Sequence, residues 1–169
     1  MKSVIVLAMH GAPPNDFPEQ EMGEFFGLHA RLERAAGPER AVLERRYAAL
    51  GAKMRAWPRT GQNDRFWAAS HQLADHLSQT TGDAVIVGFN EFCAPDLDVA
   101  LDQAVESGAE QVVVVTAMMT RGGQHAEKDI PAAVARAQER HPPVSFVYVW
   151  PFDVAQVAEF LAVQIGSRI

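Results

Sequence analysis

Four short runs of apolar, largely β-branched residues recur along the chain: Ser3–Met9, Ala84–Phe89, Gln111–Ala117 and Val144–Trp150. Each is nearly continuous in its hydrophobicity, the pattern of parallel strands covered on both faces. Helical periodicity fills the spaces after them. Over Asp96–Gly108, Leu97, Leu101, Ala104 and Val105 share one side; over Asp129–His141, Ile130, Val134 and Ala137 do so, with Pro131 suited to a first turn. Asp153–Gly166 repeats the pattern with Val154, Val157, Leu161 and Ile165. Strands alternating with helices predict an α/β fold, a four-stranded parallel sheet with right-handed crossovers. A small doubly wound sheet of this kind has the order 2-1-3-4, with helices on both faces.

One connection is too long. About 70 residues separate the first two strands, where a single helix and two loops suffice. Three helical patterns occupy it: Glu19–Ala36, Glu39–Trp57 and Asp64–Gln79. In the second, Leu43, Tyr47, Leu50, Met54 and Trp57 form one stripe, which reads as packing. Asn63 or Asp64 is placed to cap the third. Two of these helices therefore read as a helical hairpin, residues 16–60, inserted into a domain spanning 1–169.

The 169 residues, 48% hydrophobic and 21% charged, have the size and make-up of one globular domain that needs no staple. One cysteine, Cys93, excludes a disulfide framework and an all-cysteine zinc site. No apolar run reaches membrane-spanning length, and the Met1–Lys2 start leads directly into a strand, so the expected compartment is the cytoplasm. A net charge of −6 argues against general nucleic-acid binding. That charge is uneven: residues 31–65 hold nine Lys and Arg against four carboxylates.

Ligands of open α/β sheets bind beyond the carboxyl ends of the strands. Three such ends present His10, Glu91 and His125, which converge if strands 2, 1 and 3 are neighbours. Two imidazoles and a carboxylate suit a borderline divalent ion, and an imidazole is also a general base near neutral pH. Each residue alone has the ordinary reading of a turn cap. His71 and His76 do not share a helix face; with His29 and His141 they read as structural or exposed. Cys93 reads as a small buried residue. Gly122-Gly123 before a helix lacks the spacing and the Lys-Ser/Thr pair of a nucleotide cradle. Met9 stands where a phosphohistidine phosphatase needs arginine.

His10-Gly11, the Phe89–Pro95 segment and Gly123-Gln124-His125 running into Asp129-Ile130-Pro131 resemble the class II tetrapyrrole chelatases. These are the sirohydrochlorin cobalto- and ferrochelatases, in their short single-domain form. The resemblance covers residues 1–15 and 66–169, and its Gly-x-His-x-x-x-Asp-Ile-Pro signature is its most specific part. It implies a chelatase-like fold, homodimers, and insertion of Co²⁺, Fe²⁺ or Ni²⁺ into sirohydrochlorin or a related carboxylate-rich tetrapyrrole. His10, Glu91 and His125 then correspond to the catalytic, metal-holding residues, His125 accepting pyrrole protons. No cofactor beyond the metal substrate is implied. Ala12 departs from the small hydroxyl residue usual there. Because the protein is acidic overall, local arginines must hold an anionic ring. Arg55, Arg59, Arg65 and Arg121 are the expected contacts, with the insertion folding over the cleft as a lid. The alternative is a metal- or tetrapyrrole-binding carrier on the same fold, without turnover.

Overall fold

A computed structural model describes residues 2–168. It contains four strands, β1 (Ser3–Met9), β2 (Ala84–Phe89), β3 (Gln111–Thr116) and β4 (Ser145–Tyr148). All pair in parallel, in the order β2-β1-β3-β4. The helices are α1 (Glu19–Leu32), α2 (Gly37–Arg55), α3 (Arg65–Thr81), α4 (Leu97–Glu106), α5 (Ile130–Arg140) and α6 (Val154–Gly166), and a π-helical turn at His125–Asp129 leads into α5.

The central strand β1 is buried from Val4 to Met9 because helices cover both of its faces. On one face, Val4, Val6, Val112 and Val114 pack with Leu97, Leu101, Ile130 and Ala133 of α4 and α5. On the other, Leu7, Met9, Val87 and Phe89 meet Ala74 of α3 and the buried Cys93. Two salt-bridged arginines tie α5 to α4: Arg136 to Asp98, and Arg140 to Asp98 and Asp102.

Coverage on both faces does not extend to β4. Val147 and Val149 remain 41% and 42% exposed, and α6, apolar as it is, buries none of its residues. Its continuous hydrophobicity predicts a helix packed on the sheet; in this chain alone it presents that surface outward. Among the described residues, no helix is long and apolar enough to cross a membrane.

The long β1–β2 connection contains α1 and α2 as a hairpin around a third apolar cluster, Phe17, Phe25, Leu28, Leu43, Leu50 and Met54. Its polar seam is equally specific, with Arg46 gripping Glu24 through two hydrogen bonds and Lys53 meeting Glu21. Asp64 caps α3, accepting from the Trp67 N–H.

Candidate metal centre

The site is assembled by three loops at the carboxyl ends of β1, β2 and β3. The first two are in backbone contact. Asn90 N–H donates to the Met9 carbonyl at 2.9 Å and Glu91 N–H to the His10 carbonyl at 2.8 Å, continuing the strand pairing one step past the sheet. Gly11 makes that approach possible. Its φ is +99°, and a Cβ there would fall 1.9 Å from the Glu91 carbonyl oxygen. No side chain fits this backbone.

These loops bring His10, Glu91 and His125 together, each offering a ligand atom within 4.8 Å of the others. The imidazoles of His10 and His125 meet edge to face, 4.6 Å between centroids. His125 Nε2 lies 3.8 Å from Glu91 Oε1. Nitrogen and carboxylate ligands hold zinc-like ions at about 2.0–2.2 Å, so small side-chain rotations close this set on an ion. In both histidines Nδ1 is already occupied. His10 donates from it to the Gly11 carbonyl at 2.8 Å, and His125 to Asp129 Oδ2 at 2.7 Å. The Nε2 lone pairs are thereby left for a metal, the usual role of a partner behind a ligating histidine. Asp129 thus orients His125, a contact that the spacing of the Gly-x-His-x-x-x-Asp motif allows but does not by itself reveal. The π-helical turn sets the two side chains facing each other. Glu127 fastens the start of that turn, accepting from the Gly122 N–H at 3.0 Å.

The four arginines separate. Arg55 lines a cleft of about 550 Å³ that opens beside Glu91, between the α1–α2 hairpin and Phe92. Arg59 does not face a ligand. Its side chain is 5% exposed, ion-paired with the buried Asp64, and donates to the carbonyls of Ala12, Met54 and Phe92. With both terminal nitrogens committed inward and its Nε buried without a partner among the described residues, it joins the His10 loop to the Glu91 loop and has no donor exposed for a substrate carboxylate. Arg65, exposed at the start of α3, lies outside the cleft lining, and the exposed Arg121 leans on Glu127 at 3.4 Å. The insertion forms one wall of the cleft.

Of the remaining histidines, His29 lines the same cleft beside Tyr47, and two others are tied into the fold. His71 bonds to the Trp67 carbonyl and His141 to Asp102. Burial pushes the Cys93 thiol pKa up, which keeps it protonated and unreactive.

An open parallel sheet carrying two histidines and a glutamate beyond its carboxyl edge defines an α/β protein with a side-chain set that could hold a metal ion. A profile of the CbiX family matches residues 61–165, and the chain belongs to that family. It is similar to the sirohydrochlorin cobaltochelatase of Priestia megaterium, 40% identical over 70 residues, which are 41% of this chain and 22% of that protein. It is also similar to the sirohydrochlorin ferrochelatase of the same organism, 31% identical over 68 residues, 40% of this chain and 25% of that protein. The matched segment thus spans about a quarter or less of these curated relatives. The crystal structure of a CbiX protein from Marinobacter aquaeolei VT8 shares the fold, with a TM-score of 0.57 at 17% identity, covering 98% of this chain and 96% of that one.

Proposed function

We propose that this protein inserts a divalent metal, Co²⁺, Fe²⁺ or Ni²⁺ as substrates of one ligand set, into sirohydrochlorin or a related carboxylate-rich tetrapyrrole. The observation that carries this reading is the convergence of His10, Glu91 and His125, with both Nε2 atoms left free by bonded Nδ1 atoms. Three protein ligands leave coordination positions on the ion for ring nitrogens.

The overall change breaks two pyrrole N–H bonds, forms metal–nitrogen bonds to the ring and releases two protons. While the metal is held, the Nε2 lone pairs are engaged. As it passes to the ring they become free, and His125 Nε2 accepts a pyrrole proton. Asp129 stabilises the resulting imidazolium through the 2.7 Å bond to Nδ1. Glu91, whose carboxylate is partly exposed, is the residue able to stay with the metal or take the second proton. The reaction as written requires neither a nucleotide nor a redox cofactor.

The test is an absorbance assay of sirohydrochlorin with Co²⁺, Fe²⁺ or Ni²⁺. A rate above the spontaneous one, lost in His10→Ala and in His125→Ala, is expected. Stoichiometric binding of metal or ring with no acceleration would overturn the reaction and leave a carrier.

A second copy of the chain is the proposed partner. A parallel sheet is normally covered on both faces, and the exposed Val147 and Val149 with the apolar surface of α6 leave this one incompletely covered. Light scattering is expected to give a dimer that Leu161→Glu dissociates; a wild-type monomer at assay concentration would refute this.

A further inference from the structure

The cleft beside the metal centre is built mostly by the helical insertion, outside the segment matched by the family, and is completed by Asn90, Glu91 and Phe92 from within that segment. Tyr47, Ala48, Gly51, Ala52 and Arg55 of α2 line it, at spacings that place them on one helix face. The three small residues make the hollow, and Gly51 also lets Phe25 of α1 approach, 3.4 Å from where a Cβ would stand. Around the hollow stand rings. Phe25 stacks on Tyr47 at 4.4 Å between centroids, and Phe26 lies 6.1 Å from Phe92.

Phe92 links this aromatic wall to the chemistry. Its ring stacks toward His10 at 6.4 Å, and it follows Glu91, which belongs to both the cleft and the ligand set. Phe92 adopts φ +58°, a left-handed conformation that a bulky residue enters only when its surroundings hold it there. Arg59 supplies that hold, donating to the Phe92 carbonyl at 2.6 Å. Phe26 is 47% exposed although aromatic, and faces the same opening.

The charges point away from a basic trap. Of the nine cations in residues 31–65, Arg31, Arg40, Arg46, Lys53 and Arg59 are in salt bridges. In the cleft lining the one Lys or Arg is Arg55, and among the described residues no carboxylate pairs with it.

We infer that this cleft is a stacking site for one edge of a planar, conjugated macrocycle, held by Phe26, Tyr47 and Phe92 and anchored by a single peripheral carboxylate on Arg55. The inference rests on the reading of the adjoining triad as a metal-insertion site, and names how the ring is recognised there. Aromatic surface supplies most of the affinity and Arg55 sets orientation, so the binding is only weakly dependent on salt.

The experiment titrates metal-free sirohydrochlorin into the full chain by absorbance, at low and high salt, and measures Co²⁺ binding in parallel by calorimetry. Phe26→Ala and Arg55→Met are each expected to weaken ring binding by about tenfold, with Co²⁺ affinity within about twofold of wild type. Because Phe26 is half exposed, its truncation leaves no core void, and Phe26→Trp is expected to retain ring affinity. Unchanged ring affinity in both Phe26→Ala and Arg55→Met would overturn the stacking site, as would a steep loss of binding with salt. Metal insertion at the wild-type rate in Phe26→Ala would remove the cleft and leave the proposed reaction standing. Phe26-dependent ring binding by a wild-type protein that accelerates no insertion would do the reverse.

Discussion

The Nδ1–H of His125 donates to Oδ2 of Asp129 at 2.7 Å, across one turn of π-helix, and this bond decides which imidazole nitrogen can meet a metal. A partner behind a ligating histidine contributes about 10–100-fold in metal affinity. Asp129→Ala is therefore expected to weaken Co²⁺ binding by about that factor. Asp129→Asn should weaken it less, because the amide oxygen still accepts from Nδ1. Calorimetry gives the affinities and imidazole ¹⁵N shifts the tautomer. Wild-type affinity in Asp129→Ala, with the tautomer unchanged, would dismiss this role.

The same geometry marks what could be read from sequence. His10, Glu91 and His125 are legible because the first two stand just past recognisable strands and the third lies in the connection after β3, and a parallel order 2-1-3-4 puts those strand ends side by side. Arg59 is not. Asp64 reads locally as a helix cap, which it is, and nothing in the sequence shows that its other oxygen is buried against a guanidinium. The apparent basicity of residues 31–65 also misled. Glu21 and Glu24 lie before that window and fold across onto Lys53 and Arg46, so residues 16–65 hold nine cations against eight carboxylates. Such pairing depends on how two helices dock, and no local pattern encodes it. The hydrophobicity of α6 is plain in its residues, but no local pattern names the surface it covers.

Arg59 and Asp64 form a buried ion pair whose guanidinium also spans the loops of His10 and Glu91. Removing one partner of such a pair typically costs about 3–5 kcal/mol, because a buried charge is left alone. Arg59→Met is expected to lose stability of that order in urea unfolding, together with metal affinity. Arg59→Lys is expected to recover little, since an ammonium cannot reach the same carbonyls as a fork. Full recovery by lysine would show that charge alone matters here.

Gly11 gives a sharper test of the contact between the first two loops. A Cβ at this position meets the Glu91 carbonyl oxygen at 1.9 Å, and φ is +99°. Gly11→Ala must therefore push the two loops apart, at a cost exceeding the ~1 kcal/mol of an ordinary glycine substitution. Co²⁺ affinity is expected to fall more steeply than the melting temperature, because the displaced backbone carries His10 and Glu91. A variant that lost stability yet bound Co²⁺ like wild type would separate the loop contact from the site.

The clamp between α4 and α5 sets a dependence on acid. Hydrogen bonds from Arg136, then Arg140, hold the Asp98 carboxyl below its ordinary range. For Asp102, burial pushes upward, but bonds from His141 and Arg140 prevail and the pKa is again lowered. A carboxylate whose folded pKa lies below its unfolded value near 3.9 stabilises the protein fully above that value. The contribution disappears as pH falls through the folded pKa. Arg140→Ala removes partners from both carboxylates. The difference in melting temperature between wild type and Arg140→Ala is therefore expected to be largest near neutrality and to shrink below about pH 4. Since these groups are partly exposed, the difference at neutral pH should be modest and should narrow further in high salt. A difference that stayed constant from neutrality to strong acid would mean that Arg140 acts through the packing of its stem and not through the two carboxylates.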